Sequence, residues 1–212
     1  MAGVFRMDKF NGCKSRCHSA GKSPPHGRGP SSYWIHDPVI IFKELNLQPG
    51  EVFLDIGCGT GDYSIHAAKE VGEEGLVYAT DVRKELLDNL MERAKADGLN
   101  NIRGIAGDIH DPLPFNDTSI DVCFISTVLH CVDLQKAGNV IFPEIRRILK
   151  PEGRLVIIEC KKEEMPFGPP LHMRISPDEL EGHISAFDFL RANLVDLGYN
   201  YMITFTVNKV TS

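Results

Sequence analysis

The stretch Val52-Phe53-Leu54-Asp55-Ile56-Gly57-Cys58-Gly59-Thr60-Gly61-Asp62 constrains the fold of this chain more than any other segment. A short apolar run of strand type meets three alternate glycines and then a helical pattern, the order found where a strand turns into a helix in an open parallel sheet. Glycine lets the backbone bend sharply at such a turn, and lets a ligand approach it closely.

The rest of the chain repeats that order. Residues 52–56, 76–80, 102–106, 120–126 and 154–159 read as short apolar strands bounded by Gly, Asp or Pro. Between them, residues 62–71, 83–97 and about 138–149 carry apolar side chains at helical spacing. Before the first strand, Asp37-Pro38 is an N-cap followed by proline at the first helical position, opening a short helix with Val39, Ile40, Ile41, Phe42 and Leu45 on its apolar side. Near the C-terminus, Ser176-Pro177-Asp178-Glu179 has the form of a capping box, predicting a helix to about Leu197 with Gly198 as its stop, and Tyr199–Val207 reads as a last strand. The pattern predicts a doubly wound α/β domain with a mostly parallel sheet and helices on both faces, whose ligands bind beyond the carboxyl ends of the strands.

Residues 1–32, rich in Gly, Pro, Ser, Lys and Arg, read as a flexible arm, with the domain over 33–212. Cys13, Cys17 and His18 in that arm lack a second ligand pair, so no metal site is expected. The six cysteines are scattered, which disfavours a disulfide framework. A net charge of -6 gives no general attraction to nucleic acid, and Arg146, Arg147 and Lys150 read as an exposed helix end. No apolar run approaches the roughly 20 residues of a membrane span, and no signal-peptide pattern opens the chain, so a cytoplasmic protein without a membrane partner is expected.

The charges of the glycine turn narrow the ligand. A dinucleotide turn reads G-x-G-x-x-G and offers helix-end amides to a diphosphate, but here Asp62 takes the sixth position and Asp55 precedes the first glycine. Two carboxylates there would repel phosphate and attract a ligand with a positive end. Asp81, closing the second strand, is placed to accept from ribose hydroxyls. Asp108, after Gly107 at the end of the third strand, is placed to accept from an adenine amine, with Val82 and Ile109 on either side of the ring.

Together these residues resemble the class I methyltransferases that use S-adenosyl-L-methionine (SAM), over roughly residues 36 to 207. Leu54–Gly61 looks like the family's first motif. Asp81, Gly107-Asp108, Ser119–Phe124 and Lys150–Leu155 match its later elements in order. The resemblance implies a Rossmann-like methyltransferase fold with SAM as cofactor, held by Asp55, Gly57, Gly59, Gly61, Asp81, Val82, Asp108, Ile109 and Ser126. It also implies a sheet of seven strands, of which the sequence yields six recognisable ones, so the last strand is in doubt and an open edge for a homodimer is expected.

A small-molecule methyl acceptor is the leading expectation. A protein or RNA acceptor, or a regulatory subunit that binds SAM without turnover, is the alternative. His130, Glu159 and His172 are the candidates for moving a proton from the acceptor. Tyr33 and Trp34 are expected to form a lid. Lys161 and Arg174, bounding a long loop after the fifth strand, are expected to contact substrate. Nitrogen, oxygen, sulfur, carbon and arsenic methylators share this fold, so the fold leaves the acceptor atom open.

Overall fold

The computed structural model describes residues 31–208. The arm expected over residues 1–32 lies outside the described residues except for Ser31 and Ser32, and so do Cys13, Cys17 and His18.

Seven strands form one sheet: β1 (Val52–Ile56), β2 (Leu76–Asp81), β3 (Ile102–Ala106), β4 (Ile120–Ser126), β5 (Leu149–Cys160), β6 (Phe189–Asp196) and β7 (Asn200–Val207). Their order is β3-β2-β1-β4-β5-β7-β6, with β7 antiparallel to both neighbours and every other pair parallel. The order reverses direction at β1, which makes the crevice above β1 and β4 the switch point where such sheets bind ligands.

Five helices cover the sheet: α1 (Pro38–Leu45), α2 (Asp62–Val71), α3 (Lys84–Ala96), α4 (Leu134–Ile148) and α5 (Pro177–Ile184). Alternate side chains of each central strand serve opposite cores. Phe53 joins Ile41, Tyr63 and Leu90 from α1, α2 and α3 on one face, while Leu54 and Ile56 join Ile141, Phe142 and Leu180 from α4 and α5 on the other.

The doubt over the last strand is removed. The helix expected from Ser176 to about Leu197 stops at Ile184, and residues 189–196 are β6, the missing strand. Ser176 does accept from the Glu179 amide, and the Glu179 side chain accepts in return from the Ser176 amide, so the capping box opens a helix shorter than the pattern predicts. Gly198, read as a helix stop, lies in the turn of the β6–β7 hairpin with φ +85°. β6 is an edge strand whose residues 190–194 are all exposed, so it lacks the alternation that marks a half-buried strand.

Candidate functional site

Strand register builds a shelf of residues at one height. Ile56 stands level with Thr80 of β2 and Ile125 of β4, so Gly57, Asp81 and Ser126 follow side by side at the carboxyl ends. Asp81 is level with Ala106 of β3, which puts Gly107 and Asp108 just beyond.

The glycine turn is fixed to this shelf by its own backbone. Gly57 and Cys58 donate to the Thr80 carbonyl at 2.8 and 2.9 Å, and Gly59 donates to Asp81 Oδ2 at 3.0 Å. Gly57 has φ +71°, and a Cβ there would stand 2.5 Å from Val128 Cγ2. A Cβ on Gly61 would stand 2.4 Å from Leu90 Cδ1, whereas at Gly59 it would meet nothing within 4 Å. The outer glycines are therefore required by packing, and the middle one opens the backbone to a ligand.

The carboxylates divide the work. Asp55 is 2% exposed and accepts from Ser64 Oγ at 2.6 Å. Burial pushes its pKa up to about 7; the Ser64 hydrogen bond opposes this, and the charges of Asp81 and Asp62 reinforce it. Asp81 accepts from Gly59 on one oxygen and from the Arg83 amide on the other at 2.9 Å, which leaves acceptor capacity on both. Asp62 behaves differently from expectation. Burial works against its ionisation, but Thr60 Oγ1 at 2.7 Å and Arg93 Nη2 at 2.8 Å outweigh that and hold it below the usual carboxylate range. Its charge is balanced by Arg93, as that of Asp81 is met by Arg83 Nε at 3.4 Å.

At the end of β3, Asp108 Oδ1 accepts from the His110 amide at 3.0 Å and contacts His110 Nδ1 at 2.6 Å. A cavity of about 280 Å³ opens beside it, lined by Thr80, Ile105, Asp108 and Leu113 among others. Val82 is exposed next to Asp81, and Ile109 is half-buried against the core.

The N-terminal segment crosses the other side of the shelf. Ser32 Oγ lies 3.0 Å from Ser126 Oγ, and the Tyr33 hydroxyl lies 2.9 Å from His66 Nδ1 while its ring meets Tyr63 edge-on at 5.1 Å. Tyr33 is thus packed onto α2, and Trp34 beside it is 70% exposed. His36 is buried, with Nδ1 3.3 Å from the Tyr63 hydroxyl. Ser64, Tyr63 and His36 were not anticipated.

Beyond β4 and β5 the expected proton carriers are tied together. Glu159, 1% exposed, accepts from the Leu129 amide at 2.7 Å and lies 3.0 Å from His130 Nδ1. Burial opposes charge on His130, but Cys131 and Glu159 overcome it and push its pKa up to about 10. His130 therefore holds its proton at neutral pH and is no general base there. His172 is exposed on the short helix Leu171–Met173.

The two expected substrate cations have other partners. Arg174 is buried, and its guanidinium donates to the carbonyls of Pro169, Glu163 and Phe167 at 2.6 to 2.8 Å and to that of Lys161 at 3.3 Å. It is the internal brace of the loop over residues 161–174. Lys161 pairs with Asp196 at 2.7 Å. At the far end of α4, Arg147 braces residues 113–117 through the Leu113 and Phe115 carbonyls, and Lys150 pairs with Asp121.

A sheet reversed at β1, with helices on both faces, defines a doubly wound α/β protein. The model of the methyltransferase domain family matches residues 47–194, and the chain belongs to that family. It is 35% identical over 122 residues to a demethylmenaquinone methyltransferase of Geobacillus stearothermophilus, covering 58% of this chain and 50% of the relative. It is 31% identical over 156 residues to an arsenite methyltransferase of Halobacterium salinarum, covering 72% of this chain and 38% of the relative. The chain thus spans about half the length, or less, of these curated relatives. Among solved structures, a SAM-dependent methyltransferase from Aquifex aeolicus superposes with a TM-score of 0.76 at 29% identity, covering 84% of this chain and 94% of that one.

Proposed function

We propose that this chain transfers the methyl group of SAM to a small-molecule acceptor with a quinone-type ring. The observation that carries the cofactor is the placement of Asp55 and Asp81 on adjacent strand ends around a backbone left open at Gly59. In this reading Asp81 accepts from the ribose hydroxyls, Asp108, which lines the cavity, accepts from the adenine amine, and Val82 and Ile109 take the two sides of the ring. Asp55 answers the positive end of the ligand. Gly57 and Gly61 hold the turn, and Ser126 with Ser32 closes its β4 side.

SAM, when bound, supplies an electrophilic methyl on a sulfonium with a neutral thioether as leaving group. The chain then needs to orient the acceptor and exclude water more than to move a proton, and this suits a site in which His130 and Glu159 are committed to each other. Tyr33 and Trp34 serve in this reading as the lid, with Tyr33 as its anchored end. The names of the quinone-methylating relatives support the acceptor class; the arsenite relative makes arsenite the competing acceptor. The reading includes a cytoplasmic location, with neither nucleic acid nor membrane as partner, and allows pairing of two chains along the β6 edge. Among the described residues no helix is long and apolar enough to cross a membrane.

Calorimetric titration with S-adenosylhomocysteine tests the cofactor assignment. The native chain is expected to bind, and Asp81→Asn to bind about ten- to a hundredfold more weakly, the effect of losing charge-assisted hydrogen bonds. No binding by the folded native chain overturns the assignment. Labelled SAM offered with a demethylated naphthoquinol or with arsenite then separates the acceptors, and binding without transfer to either leaves a regulatory module.

A further inference from the structure

Gly57, Gly59 and Gly61 all have positive φ, and glycine loses more freedom on ordering than any other residue, so the turn keeps one shape only where it is pinned. Its first half is pinned by β2, through the Thr80 carbonyl and Asp81 Oδ2. Its second half is gripped by α3, on which Leu90 and Arg93 lie one turn apart on the same face. Leu90 fills the space beside Gly61 that a Cβ would enter. Arg93 Nη1 donates to the Thr60 carbonyl at 2.6 Å and Nη2 to Asp62 Oδ1 at 2.8 Å, while Thr60 Oγ1 donates to Asp62 Oδ2 at 2.7 Å. One guanidinium thus joins the residues on both sides of Gly61.

We infer that Arg93 is a positioning residue for the cofactor: it locks the Thr60–Gly61 peptide from α3, so that the backbone left open at Gly59 keeps a fixed place relative to Asp81. The inference rests on the cofactor reading above and deepens it. Both polar ends of that peptide are bonded, the Gly61 amide to the Cys58 carbonyl at 2.9 Å and the Thr60 carbonyl to Arg93, so the planar unit turns only by breaking both bonds. The same helix opens beside the ribose carboxylate, where the Arg83 amide donates to Asp81 Oδ1. One helix therefore sets the two sides of the cofactor shelf against each other.

The chemistry of the side chain fits this task. A guanidinium is a planar fork whose two donors span a carbonyl and a carboxylate together, whereas a lysine ammonium is a single point of charge. A brace on the turn and a charge acting on the ligand leave different signatures. SAM carries a sulfonium that S-adenosylhomocysteine lacks, so removing a nearby cation favours SAM over its product. Loosening the turn weakens both alike.

The test is calorimetric titration of the full chain with SAM and with S-adenosylhomocysteine, in the absence of acceptor. Arg93→Met is expected to bind each ligand about tenfold more weakly, with the ratio of the two affinities unchanged within about threefold. Arg93→Lys, which keeps the charge and loses the fork, is expected to stay about three- to fivefold weaker than the native chain. Adding Asp62→Asn to Arg93→Met is expected to cost at most about twofold more, because the pair acts as one unit. Unchanged affinity in Arg93→Met, full recovery in Arg93→Lys, or a shift of about tenfold in favour of SAM overturns the inference. A role in stability alone would lower the urea midpoint and leave the affinity of the folded chain as it was. Should Arg93→Met fail to fold, Arg93→Lys with the ligand ratio decides. A folded native chain that binds neither ligand sinks the cofactor reading and this inference together; native binding that Arg93→Met leaves untouched sinks this inference alone.

Discussion

The two halves of the sheet are built by different means. On the β1–β3 side, the carboxylates are met by amides and one hydroxyl from close in sequence or one strand away: Gly59 and Arg83 amides on Asp81, the His110 amide on Asp108, the Ser64 hydroxyl on Asp55. On the β4–β7 side, contacts reach further along the chain, Glu159 to His130 and Ser126 to Ser32, while Arg174 holds four carbonyls of its own loop. The first half is a fixed receptacle that a short motif can specify. The second depends on the whole fold.

If the halves are independent, substitutions should divide by side, and affinity for S-adenosylhomocysteine is the measure. The largest effect is expected from Gly57→Val, which puts a branched side chain at φ +71° against Val128. Affinity should fall at least a hundredfold and stability by about 2 to 3 kcal/mol, read by calorimetry and urea unfolding.

A smaller change, about tenfold, is expected for Asp55→Asn at pH 8. With its pKa raised to about 7, native Asp55 is partly protonated at neutral pH, so native affinity should rise from pH 6 to 8 while that of the variant stays flat. The folded pKa lies above the unfolded value of about 3.9, so the folded state binds the extra proton, and this residue's contribution to stability falls as pH rises between those values. Asp55→Asn should therefore gain stability relative to the native chain across that window, and urea midpoints at pH 4.5, 6 and 8 would show it. A flat difference would break the account of the buried carboxylate.

The smallest effect on affinity, within about a factor of three, is expected from Arg174→Ala on the other side of the sheet. Its cost should instead appear as about 2 to 4 kcal/mol of stability and faster proteolysis within residues 161–174, because one buried and three part-buried hydrogen bonds to carbonyls are lost. A large loss of affinity in this variant would join the two halves into one unit.

What could be read in advance follows the same division. The glycine turn, β1 to β4 and the helices between them follow local rules, since apolar period and glycine position act over a few residues. The carboxylates at Asp55, Asp81 and Asp108 were legible because strand ends in a parallel sheet face one crevice. Asp62 was placed correctly but misjudged electrically, because Arg93, its counter-ion, comes from α3.

The amino-acid sequence alone determined the alternation of strand and helix, the bend at Gly57 to Gly61 and the acidic residues around it, each of which depends on near neighbours. Tertiary structure decided that residues 189–196 form a strand, because Leu190 and Leu194 suit a helix by spacing and only pairing with β7 selects the extended form. It also decided the states of His130 and Arg174. A cationic side chain takes its role from the oxygens that surround it, and here those oxygens arrive from β5 and from the turns of a folded loop.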